Sequence, residues 1–197
     1  ISFTSGLSVV GIAIGVMALI VVLSVMNGFE DDIKTKLLGT QSHVVISHYQ
    51  GGVRDPLPVM EAIMKVKGVV AATPFILSQG LVSSPGGISG AVIRGIDPDS
   101  AARVIRLREI ITHGSGTLDD SGVLLGSELA AMYGILVGDA VTLISPTGTI
   151  TPLGMIPASR TFIVRGIFST GMYEFDSNMV YISLSAAKKM FMMDTVS

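Results

Sequence analysis

Residues 7–26, LSVVGIAIGVMALIVVLSVM, form an apolar run broken only by serine and glycine. A bilayer core about 30 Å thick takes about 20 helical residues, so the run predicts one membrane span. The pattern then changes period. Phe29, Ile33, Leu37 and Leu38 recur at i, i+4, i+8 and i+9 with charges between them, which predicts an amphipathic stalk ending near Gly39.

Beyond the stalk, strand and helix patterns alternate. HVVISH (43–48) reads as a strand. Residues 56–66 read as a helix, with Asp55 as N-cap and Pro56 at its first position. Residues 69–83 and 88–96 read as strands joined at SSPGG, a hairpin turn. A short helix is predicted over 97–105, with Asp97 as N-cap, followed by a Gly-, Asp- and Ser-rich link over 107–122. Then come a strand at Val123–Leu124, a helix at 127–133, strands at 140–145, 162–168 and 179–182, and a last helix over 183–190 capped by Ser183. Paired strands with helices beside them predict an α+β domain, with a subdomain boundary near residue 114.

Composition sharpens this picture. Of the 197 residues 49% are hydrophobic and 14% charged, against about 25% charged in ordinary soluble domains. The 13 Lys and Arg and 15 Asp and Glu all lie after residue 29, because Glu30 is the first charge. A secretory signal peptide has a shorter apolar core and a small-x-small cleavage site; this run is longer and SVMNGFEDD follows it, so an uncleaved span is expected. A net charge of −2 offers no basic patch for nucleic acid. The flank Glu30, Asp31, Asp32, Lys34 and Lys36 is mixed in sign, so composition leaves the side of the large domain open. Nothing basic precedes the run, which reads as a fragment starting just before a span. Gly11 and Gly15 form a G-x-x-x-G pair, read either as a helix-packing face or as chance in a Gly-rich span.

Catalytic patterns are missing. There is no P-loop and no G-x-S-x-G elbow. Absence of Cys excludes a thiolate nucleophile or a Cys metal site. His43 and His48, in a strand, would face opposite sides, and His113 stands alone. Glu30, Asp31 and Asp32 fan over roughly 200° of a helix and read as a solvated face. No metal or cofactor is expected.

One connection is unusual. PTGTITPLGMIPASR (146–160) lies between two predicted strands, where two to five residues are common. Pro146, Pro152 and Pro157 stiffen it; Ile150, Leu153, Met155 and Ile156 make it apolar; Arg160 is its only charge. Such a segment suits binding a partner or folding back on its own domain, and the pattern alone leaves both open.

Several segments in order, SVMNGFEDDIKTKLLG with HVVIS, VIRGIDP (92–98), VLLGSELA (123–130) and GILVGDAVTLISP (134–146), resemble the LolC/LolE transmembrane permeases of the bacterial lipoprotein-releasing ABC transporter. The resemblance covers nearly the whole chain. It implies an inner-membrane protein with its large domain in the periplasm. The implied layout is a span and stalk (1–40), a Porter-like part (41–106 with 178–193) and an inserted β-rich part (107–177), as in MacB-like exporters. It implies that 146–160 is the hook of LolC-like members, engaging the periplasmic carrier LolA through Pro146, Thr151, Pro152, Leu153, Gly154, Met155, Ile156, Pro157 and Arg160. Thr142 and Ser159 depart from the longer basic or amide residues of that hook base. Val22, Met26 and Phe29 would line the lipoprotein cavity, and Gly11 and Gly15 would pack helices. Further implied partners are a LolD-type ATPase using ATP and Mg²⁺, a second permease subunit (LolE-type or a second copy), the lipoprotein and the membrane. The rival readings are a MacB-like exporter subunit, which would lack the hook, and a single-span periplasmic binding or sensor domain.

Overall fold

The computed structural model describes residues 2–40, 42–47, 52–105, 107–151, 154–193 and 195–196. Two compact units are present, Ile1–Gly39 and Thr40–Ser197. The first is essentially one continuous helix, α1 (Ser2–Thr40). Within it Ser5–Lys34 is long and apolar enough to cross a membrane. Span and stalk are thus a single helix, and Glu30 pairs with Lys34 one turn on at 2.6 Å. The side chains of Leu37 and Leu38 lie outside the described residues.

In the second unit, among the described residues, seven strands form one sheet: β1 (Phe75–Ser84), β2 (Gly87–Ile96), β3 (Ile111–Gly114), β4 (Gly122–Gly126), β5 (Ala140–Thr151), β6 (Gly154–Phe168) and β7 (Met179–Ser183). Their order is β3-β6-β4-β7-β2-β1-β5, and β5 also pairs with β6. The pairings β6–β4–β7–β2–β1–β5–β6 therefore close into a ring, which removes free edges along most of the sheet. The β2–β7 and β4–β6 pairs are parallel; the others are antiparallel.

Alternation along the strands sends one set of side chains to each face. Ile93, Val123, Leu125, Val141, Leu143, Phe162, Val164, Val180 and Ile182 make one core, joined by Leu129 of α5 (Ser127–Tyr133) and Ala186, Ala187, Met190 and Phe191 of α7 (Leu184–Phe191). Phe75, Ile96, Leu124, Phe168, Met179 and Tyr181 make a second core, covered by Ala101 of α3 (Pro98–Ala101), Ile105 and Leu107 of α4 (Leu107–Ile110). β4 and β7 are buried at every position, which is why GVLLG and MVYIS read as continuous apolar runs. Within the second core, burial pushes the Tyr181 hydroxyl above its ordinary range while Arg94 draws it partly back. The Arg94 guanidinium lies 4.8 Å from the centre of the Phe75 ring.

Local signals place the helix starts. Asp55 accepts from the Leu57 N–H at the start of α2 (Pro56–Met64), Asp97 from Ser100 N–H at α3, and Ser183 from Ala186 N–H at α7. The β1–β2 hairpin turns at Pro85–Gly86, as the pattern predicts. A Cβ on Gly86 would run into the Tyr133 backbone, and one on Gly126 into the Asp176 carbonyl; both glycines permit close backbone approach. Asp176, in α6 (Tyr173–Asp176), is buried yet satisfied: it accepts from Thr170 N–H at 2.8 Å, Thr170 Oγ1 at 2.8 Å and Ser169 Oγ at 3.0 Å.

Several expectations are corrected. His43 lies in a bend, residues 44–47 belong to no strand or helix, and His48 lies outside the described residues; the argument that a strand separates His43 from His48 falls with it. β1 starts at Phe75 rather than 69, just past Pro74, which has no N–H to give a ladder. The helix after Asp97 ends at Ala101 and continues as turns. The 107–122 link contains α4 and β3, and α6 was not anticipated. The stretches 41–106, 107–177 and 178–193 lie in one compact unit. β4 of the middle stretch pairs with β7 of the last, and β7 with β2 of the first, so all three stretches share one sheet.

Candidate functional site

The 146–160 connection is not a loop. β5 and β6 run past the sheet as a two-stranded arm, with Gly148↔Pro157, Thr149↔Ile156, Ile150↔Met155 and Thr151↔Gly154 in antiparallel register. β1 meets β5 only at Thr142–Ile144, and β4 meets β6 only from Ile163 onward. Among the described residues the arm therefore pairs only with itself. Pro152 and Leu153, between its two strands in sequence, lie outside the described residues, as do the side chains of Thr151, Met155 and Ile156.

Proline explains both the arm and its misreading. Between Ser145 and Gly148 the register shifts, so Pro146 sits in a bulge, with Pro157 opposite at its far side. Neither position demands a ladder donor from the proline ring. Both rings face solvent. The prolines that suggest a loop are the residues a bulged, exposed hairpin accepts.

At the arm's base the register sorts the predicted residues by face. Arg160 stands opposite Leu143, on the side of Phe162 and the core; its guanidinium lies 5.3 Å from the Phe162 ring centre, within cation–π range. Thr142 stands opposite Thr161, their hydroxyls 3.2 Å apart, and Ser159 opposite Ile144, on the other face. So the structure does not bring Arg160 together with Thr142 and Ser159 on one surface. What it does bring toward Arg160 is Asp120, whose carboxyl is held below the usual range by hydrogen bonds from Lys189 and Ser185 and, more weakly, by the charge of Arg160. Asp119 beside it is likewise held low, by Ser121 first and then the Arg165 guanidinium at 3.3 Å. Asp120 and Lys189 were not singled out in the sequence; they are 69 residues apart, and no local pattern links them.

On α1 the five assigned residues share a stripe. At 100° per residue, Gly11, Gly15, Val22, Met26 and Phe29 fall within about 60° of one another on a continuous helix. All are exposed in the described unit, and nothing lies within 4 Å of a Cβ built on either glycine.

A further feature escaped the sequence reading. An apolar cavity of about 490 Å³ lies among residues 42–46, α2 and 68–75, with Val45, Val59, Met60 and Ile63 on its walls. Its signal was the β-branched stretch HVVIS, read as a strand and found without a strand partner. Among the described residues, no group of three His, Asp or Glu is placed to hold a metal ion.

The described residues thus combine an apolar helix of membrane-spanning length with an α+β domain built on a closed mixed sheet. The chain belongs to the MacB-like periplasmic core domain family, whose profile matches residues 5–197. It is 35% identical over 199 residues to a lipoprotein-releasing system transmembrane protein LolC of Neisseria meningitidis serogroup B, covering 98% of this chain and 47% of that protein. A LolC of Xylella fastidiosa is 35% identical over 201 residues, covering 100% of this chain and 48% of the relative. The chain spans about half the length of these curated relatives. The extracellular domain of the noncanonic ABC-type transporter YknZ from Gram-positive bacteria shares the fold, at a TM-score of 0.50 and 14% identity, over 70% of this chain and 67% of that one.

Proposed function

We propose that this chain is the first span and periplasmic domain of a LolC-like permease subunit in the bacterial inner membrane. The complete transporter extracts lipoproteins bound for the outer membrane and passes them to the carrier LolA. The observation that carries the reading is the self-paired β5–β6 arm: it adds nothing to the closed sheet, and it coincides with the stretch that resembles the LolC hook. The 35% identity to two LolC proteins supports it.

Drawing acyl chains out of lipid costs about 0.8 kcal/mol per CH₂ exposed to water. That work is assigned to a partner ATPase of LolD type using ATP and Mg²⁺, since this chain carries no P-loop. A second permease subunit, LolE-type or another copy, completes the transmembrane path. The stripe Val22, Met26 and Phe29 would face the acyl chains, where the pliable Met26 thioether suits irregular packing. Gly11 and Gly15, on the same stripe, would let a neighbouring helix approach. Arm and base keep the carrier close, so that the lipoprotein passes without crossing water.

The test is capture of purified LolA by the detergent-solubilised chain with and without residues 147–158. Deletion is expected to abolish capture. Undiminished capture by the deleted chain sinks the assignment.

A further inference from the structure

Next to the arm lies a charge cluster that the hook reading does not use. Asp120, in the turn before β4, accepts from Ser185 through one carboxylate oxygen and from Lys189 through the other, so it ties this turn to α7. The Ile163 N–H donates to the Ser121 carbonyl at 2.8 Å. That bond lays the turn along β6 three residues from Arg160. Asp119, the neighbouring carboxylate, is engaged by Ser121 and Arg165. Lys188, on the same helix as Lys189, is half-buried and lines one shallow pocket with Asp97, Asp119 and Asp120. The groups gathered here are thus the cations Arg160, Arg165, Lys188 and Lys189 and the anions Asp97, Asp119 and Asp120.

Cations outnumber anions, and Arg presents a fork that matches a carboxylate. A partner surface suited to this base carries Asp or Glu. The Lys189–Asp120 pair is solvent-exposed, with side chains 62% and 46% accessible. Exposed pairs are weak, so the pair exchanges readily with an incoming carboxylate. Resting on the carrier reading above, we propose that Asp120 is an internal counter-ion that sets how strongly the arm's base takes a carboxylate-bearing surface of the carrier. It occupies Lys189 and offsets Arg160 in the free protein, and the docked carboxylate takes over both cations.

The experiment titrates purified LolA into the full chain in detergent, comparing the unaltered chain with Asp120→Asn, Lys189→Met, the double variant and the 147–158 deletion. Asp120→Asn keeps shape and removes charge. It is expected to tighten binding about two- to fivefold, the range of one exposed charge pair, with the gain vanishing near 1 M salt as charges are screened. Lys189→Met is expected to weaken binding by a similar factor, and the double variant to return near the starting affinity. A folded Asp120→Asn chain, matched in thermal midpoint, that binds equally or more weakly overturns the counter-ion role if the arm deletion abolishes binding. Binding that survives the arm deletion overturns the carrier reading itself, and the counter-ion role with it.

Discussion

The inner and outer halves of β5 and β6 are continuous strands with opposite uses. In the inner half, Val141, Leu143, Phe162 and Val164 are buried in the core shared with β4, β7 and α7. Past the bulge at 145–148, the same two strands pair, among the described residues, only with each other, and Pro146 and Pro157 face solvent. A two-stranded ribbon alone is marginal in water. This one is anchored at its base by a closed sheet and braced by proline. The difference shows that strand identity and strand purpose are separable: backbone pairing resumes in a shifted register past the bulge, while Pro146 and Pro157 are no longer buried.

The contrast can be broken at four points. Phe162→Ala strikes the inner half, where a cavity opens among fully buried neighbours. It is expected to lower unfolding stability by about 3–5 kcal/mol, read from urea midpoints. Ser183→Ala removes the side chain that accepts Ala186 N–H at the start of α7; a loss of about 1 kcal/mol is expected. A smaller effect is expected in acid. The folded-state values of Asp119 and Asp120 lie below the ordinary 3.8. Their stabilisation is therefore full above the unfolded value and is lost as pH falls from there through the lower folded one. Asp120→Asn should flatten that part of the curve of thermal midpoint against pH. The smallest shift belongs to the arm. Deleting 147–158 should change stability by less than about 0.5 kcal/mol, as for other changes away from the core. A loss comparable with that of Phe162→Ala would make the arm part of the core's support and erase the distinction.

Legibility in the sequence followed distance along the chain. The hairpin at 85–86 and the caps Asp55, Asp97 and Ser183 were readable because the cap acceptor and its donor lie two or three residues apart. The segment 43–47 misled because Val44, Val45 and Ile46 favour a strand, yet a strand requires a partner and none of the described strands pairs with it. The arm misled for the converse reason: its prolines disfavour strands in general, and only the bulge makes them acceptable. At the base, Ser159 and Arg160 are adjacent in sequence and belong to opposite faces in the fold, because successive strand residues alternate.

By itself, then, the sequence determined the membrane-length helix, since 20 apolar residues need no partner to be recognised. It also determined the starts of α2, α3 and α7, which are set by cap hydrogen bonds within one turn. Tertiary structure alone decided that strands from three stretches of chain close into one ring, that β5 and β6 outrun it as an arm, and that Asp120 meets Lys189 near Arg160. The ring and the Asp120–Lys189 contact depend on pairings between residues tens of positions apart, and the arm on where β1 and β4 stop pairing with β5 and β6; no local pattern encodes either. They are settled only when burial of both sheet faces selects one register among many.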